Sequence, residues 1–172
     1  MYKRQPQFYL GLASGLVKLG QWSQAVDYIN QAVGMWDGKV GMLPRMSLQA
    51  EADFYLAEAK SGQEQWSEAV EFYGRSWKVN PDRVDCCLGW AGALGKLGRW
   101  EEALELYRQG TVLFEESGEV WLGLGQALGE LGRWEEAVVE YERAVSLGFT
   151  GPEVRHYLGS ALMQLGLSLI HI

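Results

Sequence analysis

Few side chains in this sequence are equipped for chemistry. Its histidines are His156 and His171, and its cysteines are the neighbours Cys86 and Cys87. A metal ion needs three or four His, Cys, Asp or Glu ligands brought together, and these residues supply no spaced set. Adjacent cysteines cannot staple distant segments, so nothing points to an oxidising compartment and a cytoplasmic location is expected. Cys87 reads as a small core residue, and Cys86 as a weak redox handle. GLGQALG at 123–129 contains Gly-x-Gly, but it misses the dinucleotide-loop spacing and sits inside a predicted helix with no strand before it. Nucleophile elbows, lysine phosphate loops and His-Glu-x-x-His pairs do not occur. The many glutamates recur at regular offsets that suit a solvated helix face better than an acid–base pair. No catalytic, cofactor-binding or metal-binding residue is assigned, and the chain is expected not to be an enzyme by itself.

The elements behind these residues are set by a repeat. Trp22, Trp66, Trp100 and Trp134 follow one another at 44, 34 and 34 residues, opening the phrases QWSQAV, QWSEAV, RWEEAL and RWEEAV. KLGRWEEALELY and ELGRWEEAVVEY match at 8 of 12 positions. Three residues after each Trp stands Ala25, Ala69, Ala103 or Ala137, and seven after stands Ile29, Tyr73, Tyr107 or Tyr141. Those offsets share one face of a helix. Upstream, Leu12, Ala13 and Leu16, then Trp90, Ala91 and Leu94, then Leu124, Gly125 and Leu128 mark a preceding helix. Gly20, Gly98 and Gly132, two residues before their Trp, stand where a helix stops and the chain reverses. Each unit is therefore predicted to be a helix hairpin. Glutamates 101, 102, 135 and 136 fall in first turns, where the helix dipole favours acid, and Thr150 with Glu153 reads as a capping box.

A 34-residue helix-turn-helix with these positions resembles the tetratricopeptide repeat. Trp121, Leu124, Gly125, Leu128, Gly132, Ala137, Tyr141 and Ala144 give the best single match, and the likeness runs over nearly all of residues 6–166. It implies an all-α fold, an α-solenoid of antiparallel helix hairpins wound as a right-handed superhelix. The expected organisation is hairpins at 6–36, 48–81, 82–115 and 116–150, an extended loop at 37–47, and the first helix of a truncated fifth repeat at 151–166. Gly62 lies four residues before its Trp rather than two. That offset accounts for two of the ten extra residues, and the loop for the rest. Residues 1–5 and 167–172 look like a non-native leader and tail, which suggests an interior piece of a longer bacterial protein. Lys3 and Arg4 ahead of Phe8–Val17 imitate a secretory signal, but the same stretch fits the repeat.

The resemblance also implies a protein or peptide ligand on a concave face lined by the first helices. Carried over residue by residue, that face holds Leu10, Ser14, Val17 and Lys18, then Leu88, Gly92 and Lys96. It continues with Leu122, Gln126 and Glu130, and ends with His156, Ser160 and Met163. Family members that clamp chaperone tails use paired Lys, Arg and Asn here, and only Lys18 and Lys96 remain. Gly89, Gly92, Gly95, Gly123 and Gly129 either leave room for a bulky partner segment or allow close packing between hairpins. A net charge of -7, confined to residues 99–172, argues against nucleic acid. No apolar run is long enough to span a membrane. The expectation is a non-catalytic interaction scaffold. The alternative is the targeting arm of a larger bacterial glycosyltransferase, sulfotransferase or methyltransferase. An uncovered last helix would also offer a self-association surface.

Overall fold

A computed structural model describes residues 5–35 and 42–166. All regular structure among them is helical: α1 Pro6–Lys18, α2 Trp22–Gly34, α3 Met42–Gly62, α4 Trp66–Val79, α5 Val84–Lys96, α6 Trp100–Leu113, α7 Gly118–Glu130, α8 Trp134–Ser146 and α9 Pro152–Gln164. No helix among the described residues is long and apolar enough to cross a membrane. The chain divides into two compact units, Met1–Ala93 and Leu94–Ile172, with the division falling inside α5. In the first unit α1 packs on α2, α3 on α4, and α1 beside α3. In the second α7 packs on α8, α6 on α7, and α8 on α9.

Every repeat Trp occupies the first position of its helix, four residues after the last residue of the preceding helix. Gly20, Gly98 and Gly132 adopt φ of 71°, 71° and 74° in these turns. The next residue closes each turn by donating its N–H back into the helix, Gln21 to Leu16, Arg99 to Leu94 and Arg133 to Leu128. This is the left-handed helix stop that glycine adopts without steric cost. The second unit of the repeat keeps the same turn with Glu64 at φ 61°, and Gln65 donates to Lys60. Its register is therefore not shifted by two residues, as the position of Gly62 suggested. Gly62 is the last residue of α3, and it is small because a β-carbon there would collide with the Trp22 indole.

The ten extra residues have another home. Helix α3 has 21 residues where α5 and α7 have 13, so most of the added length is helix. The expected loop at 37–47 is corrected to this extent: α3 already begins at Met42, while residues 36–41 lie outside the described residues. Pro44 sits in the first turn, where its missing N–H costs no helical bond, and Met, Leu, Arg, Gln and Ala around it favour helix. The suspected leader and tail lie almost wholly outside the described residues. At the start of α9 the N-cap is Gly151 with Pro152 following, and no side chain caps the helix. The Thr150–Glu153 capping box does not form.

Ala25, Ala69, Ala103 and Ala137 are fully buried, and Ile29, Tyr73, Tyr107 and Tyr141 nearly so. Four of the singled-out glycines are what those rings demand. A β-carbon at Gly89 would meet the Tyr73 ring, at Gly123 the Tyr107 ring, and at Gly95 and Gly129 the indoles of Trp100 and Trp134. Gly125 likewise faces Tyr141, so GLGQALG is a packing element. Space for a bulky ligand is thus not what these glycines supply; at Gly92 alone among the five, nothing lies within 4 Å of an added β-carbon.

Candidate functional site

In the first unit, α1, α3 and the start of α5 enclose a cleft of about 390 Å³. Ser14, Val17 and Lys18 come from the second half of α1, Phe54, Tyr55 and Glu58 from α3, and Asp85, Leu88 and Gly89 from α5. Arg83, on the link just before α5, completes the lining. Four of the residues expected from sequence, Ser14, Val17, Lys18 and Leu88, are brought together here.

Phe54, Tyr55, Glu58, Arg83 and Asp85 were missed. Counted back from Trp66, Phe54 takes the offset of Leu10 and Leu88, and Glu58 that of Ser14 and Gly92. The signal was present, but the 44-residue spacing hid the register of the second unit. Arg83 follows no groove offset, because it stands on a link.

Leu10 is a correction. It is 1% exposed and packs with Ala13, Ile29, Ala32, Leu48, Ala52 and Leu56. Leu48 belongs to the two added turns of α3, which cover Leu10 and place it in the core. Its counterparts Leu88 and Leu122 lack such a cover and stay half-buried. In the second unit, Leu122 and Gln126 are half-buried and Glu130 exposed on α7. On α9, His156 and Met163 are exposed and Ser160 is half-buried. Gly92 and Lys96 are exposed on α5.

The charges of the cleft are unevenly engaged. The Arg83 guanidinium lies 3.8 Å from the Phe54 ring centroid and 5.9 Å from that of Tyr55. A guanidinium resting on an aromatic face keeps its N–H edge available to an anion. Glu58 instead accepts a hydrogen bond from the Tyr73 hydroxyl, which has Ser61 Oγ 3.5 Å away. Burial raises the Glu58 carboxyl above its ordinary range; the Tyr73 hydrogen bond opposes that rise, nearby Asp85 adds to it, and Arg83 opposes it. Burial, reinforced by the Glu58 charge, also raises Tyr73, so the phenol stays protonated and remains the donor.

Cys86 and Cys87 are fully buried and are not joined in a disulfide. Burial pushes their thiols up to about 11 and about 12 respectively, and the thiolate is the reactive form. Cys86 Sγ donates to the Tyr73 carbonyl at 3.7 Å. A redox handle at Cys86 is therefore corrected to a core residue. His156 packs edge-on to Tyr157, with ring centroids 5.6 Å apart, and no group of metal-binding side chains forms among the described residues.

An all-α array of hairpins, each turned by a left-handed stop ahead of a Trp, is a helical-repeat fold of the solenoid class. Residues 88–150 match the tetratricopeptide repeat family and carry repeats of that family. No curated protein sequence matches the chain. Among solved structures it is similar to MamA AMB-1, with 20% identity, a TM-score of 0.71, and coverage of 94% of this chain and 82% of that one. YrrB, described as a TPR protein with an unusual peptide-binding site, aligns at 16% identity and a TM-score of 0.74, covering 95% and 79%. MamA from Desulfovibrio magneticus RS-1 aligns at 14% identity and 0.78, covering 94% and 85%. Identities this low carry the fold alone.

Proposed function

We propose that the chain is a non-catalytic scaffold that holds a peptide segment of a partner protein along its first helices, with the cleft of α1, α3 and α5 as the main subsite. The observation that carries this reading is the cleft itself. The half-buried Tyr55 and Leu88 sit there beside Lys18 and Arg83, which form no ion pair among the described residues. Concave, largely apolar sites with a few placed polar groups are where ligands bind. A peptide-binding site in YrrB, which shares the fold, supports the same assignment. Within the second unit taken by itself, Leu122, Gln126 and Glu130 on α7 and His156, Ser160 and Met163 on α9 are further proposed contacts, as are Gly92 and Lys96 on α5.

A peptide-display selection on the purified chain tests this, with an Arg83→Glu variant of unchanged melting temperature as counter-target. Enriched peptides should lose binding to the variant. Enrichment indifferent to that substitution would move the site elsewhere.

A further inference from the structure

Resting on the cleft as a peptide site, its side chains define which peptide it takes. Two cations line it, Lys18 at the end of α1 and Arg83 before α5. Neither makes an ion pair or side-chain hydrogen bond among the described residues, where the ion pairs join Lys60 to Glu68, Arg75 to Asp53, Arg99 to Glu102 and Arg133 to Glu136. Arg83 is held over Phe54, and its charge acts on Glu58 through space without an ion pair among the described residues.

The two carboxylates of the cleft are less available. Glu58 is occupied by Tyr73. Asp85 lies in the first turn of α5, where the positive end of the helix dipole offsets part of its charge. An incoming cation would compete with the tyrosine for one acid and with the helix terminus for the other. An incoming carboxylate would find two unpaired donors in place. Beside them, Tyr55 and Leu88 are half-buried and leave apolar surface for a ligand side chain to cover.

We infer that the cleft selects an acidic side chain next to an apolar or aromatic one in a partner's peptide, the acid bridging Arg83 and Lys18 and its neighbour covering the half-buried Tyr55 and Leu88. Hydrogen bonds to a charged group add more than neutral ones, and the contribution of exposed Lys18 falls with salt. Selection acts through both parts, so a peptide that is acidic but lacks apolar residues binds weakly.

The test uses three fluorescein-labelled ten-residue peptide pools with the same Leu and Phe content, whose remaining variable positions are all Glu, all Gln or all Lys. Fluorescence anisotropy on the full chain at low salt should show the Glu pool bound at least about tenfold more tightly than the Gln pool, with the Lys pool weakest. The preference should narrow at high salt and vanish in the Arg83→Gln, Lys18→Gln double variant. Equal binding of all pools, or preference for Lys, overturns the acidic selection while leaving the scaffold reading intact, provided Leu88→Asp abolishes it. Absence of binding by every pool overturns both.

Discussion

Gly89 of α5 lies so close to Tyr73 of α4 that a β-carbon on residue 89 would stand 2.5 Å from the phenolic oxygen. The absence of one methyl group thus lets a tyrosine lie nearly fully buried at the joint between two helices and reach Glu58 with its hydroxyl.

Substituting this glycine should therefore behave unlike substituting its neighbour one turn on. Gly89→Ala forces the Tyr73 ring to move and should destabilise the chain by about 1–3 kcal/mol, the range for overpacking a filled core. Gly92→Ala meets nothing within 4 Å and gains the helix propensity of alanine, up to about 1 kcal/mol of stabilisation. Urea unfolding of the two variants decides it, and equal effects would contradict the packing described.

Glu64 supplies a second contrast. It holds φ 61° where the other Trp turns use glycine. A side chain there costs about 1–2 kcal/mol, so Glu64→Gly should raise stability by about 1 kcal/mol, after the greater entropy of glycine in the unfolded chain is subtracted. Calorimetry showing a lowered melting temperature would mean that the turn is not strained in solution.

The pH dependence at Glu58 has a defined sign. Its folded-state carboxyl is raised by burial from the ordinary value of 4.5, so the folded chain holds this proton more tightly than the unfolded chain. Stability from this group is greatest below its unfolded value and declines as pH climbs through the raised folded value, levelling off above it. Glu58→Gln keeps an acceptor for Tyr73 and removes the ionisation. The melting-temperature difference between the variant and the parent should be near zero below about pH 4 and grow in the variant's favour toward neutrality. A variant less stable at neutral pH would show that the Tyr73 hydrogen bond to the ionised form outweighs burial.

The hairpins, their turns and their inward faces were readable from the sequence because Trp, Ala and Tyr recur at offsets that only a helix places together. Leu10 was misread because its burial depends on Leu48, a residue outside the repeating pattern. The added turns of α3 looked like a loop because Pro44 and three nearby glycines signal breakage, although proline is harmless in a first turn. Half of the cleft was hidden for a related reason. Phe54 and Glu58 sit in the unit whose spacing departs from 34, and Arg83 stands on a link that periodicity does not describe. Which glycines fill space and which leave it open is decided by rings on neighbouring helices, and offsets along a single helix carry no trace of that.

The joints between hairpins have a bearing on how such an array can be rebuilt. Tyr73 is matched by Gly89 and Tyr107 by Gly123, whereas the position equivalent to those glycines is Tyr55 in the helix that follows Ile29. After Tyr141 it is Tyr157, and the two rings stack at 6.0 Å. Three of the four joints hold a single ring at these two positions, so the count of one ring is kept across the boundary and not within the repeat. The hairpins are therefore not interchangeable cassettes. Cutting the array and rejoining it in another order would bring two rings, or none, to a space shaped for one, which makes the order of the repeats part of what the sequence encodes.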